Sequence, residues 1–123
     1  VDAYNTLNLY GEGIVLGENT AVSPALAIGT NGSANINGTT ISGHVSMYGI
    51  NLNISSGYID VIHGNAGICN IMGGTVDTIY SNGADYVITG GTFGSDVSKY
   101  LDTEGYTVIP NADGTYTVIA NES

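Results

Sequence analysis

The chain has 123 residues, 19 of them Gly, with a single Lys or Arg against 11 Asp and Glu and a formal net charge of −10. Such a chain repels phosphate backbones, because nucleic-acid binding rests on Lys and Arg displacing counterions; anionic membrane surfaces are excluded for the same reason. No stretch reaches the roughly 20 apolar residues of a membrane helix, the 42% apolar content argues against disorder, and Cys69 has no second cysteine to pair with.

One domain, 1–123, is expected from the length. Its first part, 1–33, is the least regular and reads as irregular first coils with an inserted loop. Leu7-Asn8-Leu9 alternates apolar and polar residues as a strand does. The stretch from about 10 to 24 holds Glu12, Glu18 and Pro24 and reads as an exposed excursion. "ALAIGTNG", 25–32, resembles the later "DTIYSNG", 77–83.

Residues 34–94 carry a repeat. Ile54, Ile71 and Ile88 are spaced by 17 residues, as are Gly57, Gly74 and Gly91, then Ile59, Val76 and Phe93, then Leu52, Cys69 and Tyr86. One copy earlier, Ala34-Asn35-Ile36 lies 18 residues before Leu52-Asn53-Ile54. The residues between are Gly, Asn, Ser and β-branched residues, all poor helix formers. Glycines punctuate the apolar runs where the backbone must turn with positive φ. Seventeen extended residues span roughly 56 Å, the perimeter of one coil of a β-solenoid with two or three short sides. One coil cannot bury its apolar face alone, whereas stacked coils can. The expectation is an all-β, parallel β-solenoid of about four or five coils, right-handed by analogy with known parallel β-helices. Ile54, Ile71 and Ile88 form one core column and Ile59, Val76 and Phe93 another. Asn35, Asn53 and Asn70 fall in an outward column suited to an amide ladder. Asn31, Asn65 and Asn82 stand at turns, where Asn tolerates the left-handed region.

Residues 95–123 change character and read as a helix-plus-hairpin cap. Asp96 suits the start of a short helix with Val97, Tyr100 and Leu101 on one face, and Gly105 suits its end. "YTVIP" and "TYTVI" flank "NADG", a hairpin with Gly114 in the left-handed position. Such a cap covers the apolar cross-section and unpaired edges that a last coil would expose. The C-terminal strand, 115–120, is also a candidate for pairing with a neighbouring subunit.

The segment "GGTFGSDVSKYLDTEGYTVIPNADGTYTV", 90–118, resembles one recurring in secreted surface proteins of gut Clostridia-like bacteria. The matching positions are Gly90, Gly91, Thr92, Phe93, Asp96, Ser98, Tyr100, Gly105, Tyr106, Asp113, Gly114, Thr115, Tyr116, Thr117 and Val118. The resemblance implies a parallel β-helix closed by this segment, and an extracellular or cell-surface location. It carries over no catalytic residue.

Candidate sites follow from the columns. Asp60 and Asp77 fall one coil apart, about 5 Å from each other. They read either as a Ca²⁺ or acid/base pair or as solvated surface residues, and the coil "GGTVD" lacks the third Gly of the Ca²⁺-binding nonapeptide. No other cofactor is indicated. His63 and Tyr80 share a column and read as a stacking surface for sugar or as corner packing, with Tyr48 and Tyr58 as further exposed aromatics. His44 has no Cys, Asp or second His at ligand spacing, which argues against a metal site. Asn31, Asn37, Asn53 and Asn121 open glycosylation sequons, slightly more than the roughly two or three that chance supplies and so weak evidence of glycosylation. Thr75 and Thr92 make too short a row for an ice-binding face.

Lyase chemistry wants a base, but the chain has no Arg and Lys99 stands in the cap. Glycoside hydrolysis needs paired carboxylates in a cleft, and bare coils lack the loops to build one. The leading expectation is therefore a non-catalytic extracellular structural or adhesive module that self-associates, end to end, into a filament. A carbohydrate-binding module or phage tail-fibre segment, with a glycan or host-surface ligand, is the alternative. A degenerate polysaccharide lyase or hydrolase is third.

Overall fold

The computed structural model describes residues 2–3, 5–11, 13–16, 24–101 and 104–121. Among them the chain forms strands β1 (Asp2–Ala3), β2 (Thr6–Tyr10), β3 (Ile14–Leu16), β4 (Leu26–Ile28), β5 (Ser33–Met47), β6 (Asn51–Gly64), β7 (Ile68–Ile71), β8 (Thr75–Ser81), β9 (Asp85–Ile88) and β10 (Thr92–Phe93). A single 3₁₀ turn, Ser98–Tyr100, then leads to β11 (Tyr106–Pro110) and β12 (Tyr116–Ala120). All pairings through β10 are parallel; the antiparallel ones are β10–β12 and β11–β12. This is a parallel β-solenoid of about four turns at a spacing of about 17 residues.

The repeat works because successive coils place equivalent side chains one above another. Ile36 pairs with Ile54, Ile54 with Ile71, and Ile71 with Ile88, and all four are buried. Leu9 lies in register beneath Ile36. Ile41, Ile59, Val76 and Phe93 make a second buried column, and Leu26, Val45, Ile62 and Ile79 a third. Each such side chain contributes roughly 1.5–3 kcal/mol when withdrawn from water.

The corner after the first column demands glycine. Gly38, Gly57, Gly74 and Gly91 have φ of 93°, 111°, 79° and 97°. A Cβ on Gly57 would stand 2.3 Å from the carbonyl oxygen of Thr39, one coil below. Close stacking and positive φ together leave no room for another residue.

The amide ladder runs through four coils. Asn35 Nδ2 donates to Asn8 Oδ1 at 2.8 Å, Asn53 to Asn35 at 2.9 Å and Asn70 to Asn53 at 2.8 Å. Val87 occupies the next rung, beside Asn70, and ends the ladder.

The ends depart from expectation. Leu16 to Leu26 on the first coil matches Ser42 to Val45 on the next, so the first coil is seven residues longer. The excursion is shorter than 10–24, because Ile14–Leu16 is itself a strand of the stack. Pro24 is half-buried, and Glu12 and Glu18 lie outside the described residues. Leu26, not Ile28, shares the column of Ile79, two positions from the alignment that the likeness of 25–32 to 77–83 suggests. Asn31 is left-handed, with φ 68°, whereas beside Asn65 and Asn82 it is Gly67 and Gly83 that take positive φ. Asn65 and Asn82 instead form a side-chain pair at 3.4 Å.

The expected cap helix shrinks to one 3₁₀ turn. Asp96 accepts the Ser98 N–H at 2.9 Å and also the Ser98 hydroxyl. Val97 is drawn into the core, but Leu101 is already extended, with φ −92° and ψ 148°. So short a segment gains too few helical hydrogen bonds to offset nucleation. The hairpin forms with Gly114 at φ 88°. Its order corrects the proposed role of 115–120: β12 is paired on both sides, by β10 and β11, so β11 is the outer strand. The tight Asn111–Thr115 turn, closed by Asn111 N–H donating to Thr115 O at 2.7 Å, folds β12 back onto Thr92 and Phe93.

Candidate functional site

Two histidines and a tyrosine cluster on the outward face formed by the ends of β5, β6 and β8. Ser46, His63 and Tyr80 are in register on successive coils. His44 is two residues before Ser46, so its side chain emerges from the same face of the strand. His44 Nδ1 and His63 Nε2 are 2.6 Å apart, and the two rings meet edge to edge, with centroids 4.7 Å apart and planes inclined by 21°. Tyr80 packs against His63, with centroids 5.1 Å apart and planes inclined by 17°. Burial, then the neighbouring His44, holds the His63 imidazole below its ordinary value.

The sequence hid the His44–His63 relation. Register shifts between Ile36/Asn37, Asn37/Thr40 and Ile41/His44 change the local spacing, and the two histidines are 19 residues apart. The sequence shows His44 no second His at ligand spacing; in the structure His63 arrives beside it from the next coil.

The cluster also bears on sugar recognition. A sugar packs on a ring face, and His44 and His63 present their edges to each other. Of the three rings, Tyr80, half exposed at 51%, ends the run and keeps an outer face. Tyr58 stands instead in the column of Thr40, Thr75 and Thr92, and Tyr48 lies just beyond the end of β5. Tyr48, Tyr58 and Tyr80 are thus exposed, but in three different places, and form no continuous line.

Asp60 and Asp77 lie between the paired positions Ile59↔Val76 and Val61↔Thr78, so they are neighbours across coils. The Tyr58 phenol is raised above its ordinary value by burial, by a hydrogen bond to Asp60 and by the two carboxylates. Thr78 Oγ1 donates to Asp77 Oδ2 at 3.3 Å. Among the described residues no group of three or more His, Cys, Asp or Glu is placed to hold a metal ion. Two carboxylates fall far short of the six to eight oxygens Ca²⁺ takes.

The sequon asparagines differ in access. Asn31 and Asn37 are exposed, and Asn37 Oδ1 accepts from Ser56 at 2.8 Å. Asn53 uses its amide nitrogen in the ladder, so a glycan there would break the rung to Asn35. Asn121 is exposed and donates to Glu104 O at 3.2 Å. Cys69 is fully buried, and burial pushes its thiol up to about 12.

A half-open cleft of about 290 Å³ lies at the C-terminal end. It is lined by Tyr86, Val87 and Ile88 of β9, by Thr89 just beyond it, by Tyr100 of the 3₁₀ turn and by Tyr106 of β11. Tyr86 and Tyr100 meet at 4.9 Å and 49°, and the Tyr86 hydroxyl donates to Tyr80 O at 2.8 Å. The sequence read Tyr86 as a core position; the spacing of Val97, Tyr100 and Leu101 marks a helical segment after it, but not that this segment and β11 bring Tyr100 and Tyr106 beside Tyr86.

Fold and surface together define a β-solenoid repeat protein with a capped C-terminal end. The chain matches no protein-family model, no curated protein and no solved structure.

Proposed function

We propose that this chain is a non-catalytic structural and adhesive module of an extracellular or cell-surface protein. The carrying observation is the uninterrupted stack: core columns, corner glycines and an Asn8–Asn35–Asn53–Asn70 ladder that all run along one axis. Such a stack resists bending and holds whatever flanks it at a fixed distance. The likeness of 90–118 to the closing segment of bacterial surface β-helices supports the location. Self-association is part of this reading. Its support is the outer edge of β11, which has no strand partner among the described residues and carries Ile109, 40% exposed, beside Ile119, 44% exposed. Unpaired strand edges template pairing with another chain. Light scattering and negative-stain microscopy test it at micromolar concentration. Rods or oligomers are expected, and a clean 12.6 kDa monomer removes self-association while leaving the spacer role.

A second reading is favoured by the tyrosine cleft. Three phenol rings and a threonine hydroxyl around about 290 Å³ suit one sugar residue of a larger glycan. A glycan array with wild type and Tyr106→Ala decides: hits lost in the variant support it, and an array without hits removes it.

A further inference from the structure

We infer that His44 and His63 form a two-imidazole binding site for a borderline divalent transition-metal ion, with Cu²⁺ bound most tightly. The inference does not depend on the structural or adhesive reading.

The argument starts from the 2.6 Å gap between His44 Nδ1 and His63 Nε2. Two nitrogens so close must share one proton, because two lone pairs or two N–H groups facing each other repel. A cation can replace that proton. Two nitrogens each about 2.0–2.1 Å from one ion, at cis or tetrahedral angles, stand roughly 2.9–3.3 Å apart. The nitrogens therefore need to part by a few tenths of an ångström, and each ring to turn so that its lone pair aims at the ion. The backbone supplies the rigidity: β5 and β6 are paired on both flanks of the site, His44 with Val61 and Ser46 with His63. A ligand pair held in place before binding loses little entropy on binding.

The kind of ion follows from the donor set. Imidazole suits Cu, Zn and Ni, and Cu²⁺ leads in the ordinary order of affinities. Ca²⁺ and Mg²⁺ want oxygen donors, so the histidine pair passes them over. Ligation needs a neutral imidazole, so the test is set at pH 7.5. Both histidines are half-buried on an outward face, so an ion reaches them from solvent. Among the described residues no third His, Cys, Asp or Glu joins them, so water fills the remaining positions and the ion exchanges freely. The net charge of −10 raises the local cation concentration.

The test uses the full chain and Cu²⁺ alone, at pH 7.5. Titration calorimetry gives the affinity, and pulsed electron paramagnetic resonance counts coordinated imidazoles. One ion per chain bearing two imidazoles is expected in the wild type. His44→Gln and His63→Gln should each weaken binding more than tenfold and leave a single imidazole, whereas Asp60→Asn should change neither reading. Wild-type spectra showing one imidazole or none overturn the inference without any variant, so a variant that misfolds does not blunt the test. Unchanged affinity in both folded histidine variants overturns it equally.

Discussion

Ile71 lies between Ile54 and Ile88 with none of its surface exposed. Asp at that position would place an unpaired charge among hydrocarbon, at a cost of several kcal/mol, against a total stability of about 5–15 kcal/mol for an ordinary domain. Ile71→Asp should therefore abolish the cooperative thermal transition seen by circular dichroism, while Ile71→Val, losing one methylene, should cost about 0.5–1.5 kcal/mol and keep it. Cys69 makes a second residue-level case. Its thiol, at about 12 in the fold, would ionise near 9 in the unfolded chain. Below pH 9 both states hold the proton and the burial stabilises in full. Between about 9 and 12 the unfolded chain releases a proton that the fold retains, so stability falls as pH rises. Tyr86, also raised by burial, acts in the same direction. Urea midpoints measured from pH 8 to 11 should drop, less steeply for Cys69→Ala; a flat profile in the wild type would contradict the burial.

Corners and caps decide what an element becomes. Gly57 combines φ 111° with a neighbouring carbonyl 2.3 Å from any added Cβ, whereas a Cβ on Gly13 would meet nothing within 4 Å. Gly57→Ala should destabilise by at least about 1–3 kcal/mol, from backbone strain alone, and Gly13→Ala by well under 1 kcal/mol. Denaturant melts of the two variants check this, and equal midpoints would show that the corner is not constrained. The same contrast explains what the sequence made legible. Positions 54, 71 and 88 could be read because three coils share one spacing and their environment is uniform. The pairing of His44 with His63 could not, because bulges add and remove residues between otherwise regular rungs. A helical segment after Asp96 could be read, but not its length: it stops after one 3₁₀ turn, with Val97 buried and Leu101 already extended. The tyrosine cleft depends on where that turn sits against β9, which no residue spacing gives.

The molecule as a whole behaves as a stack of nearest neighbours, in which stability grows with each added rung. Residues 51–67 make one complete lap, since Asn51 pairs with Ile68 and Gly64 with Ser81. Duplicating them should add a rung between existing ones, keep the strand signature per residue and raise the denaturation midpoint. A duplicate shortened by one residue should fail to fold, because a one-residue slip turns every inward side chain outward. If both insertions behave alike, the spacing is not what holds the chain together. The most direct measurement is a nuclear Overhauser spectrum of protein labelled only at isoleucine δ1 methyls. Stacked coils predict cross-peaks from Ile54 to Ile71 and from Ile71 to Ile88, with none from Ile54 to Ile88. Absence of the first two peaks would contradict the stack and every inference built on it.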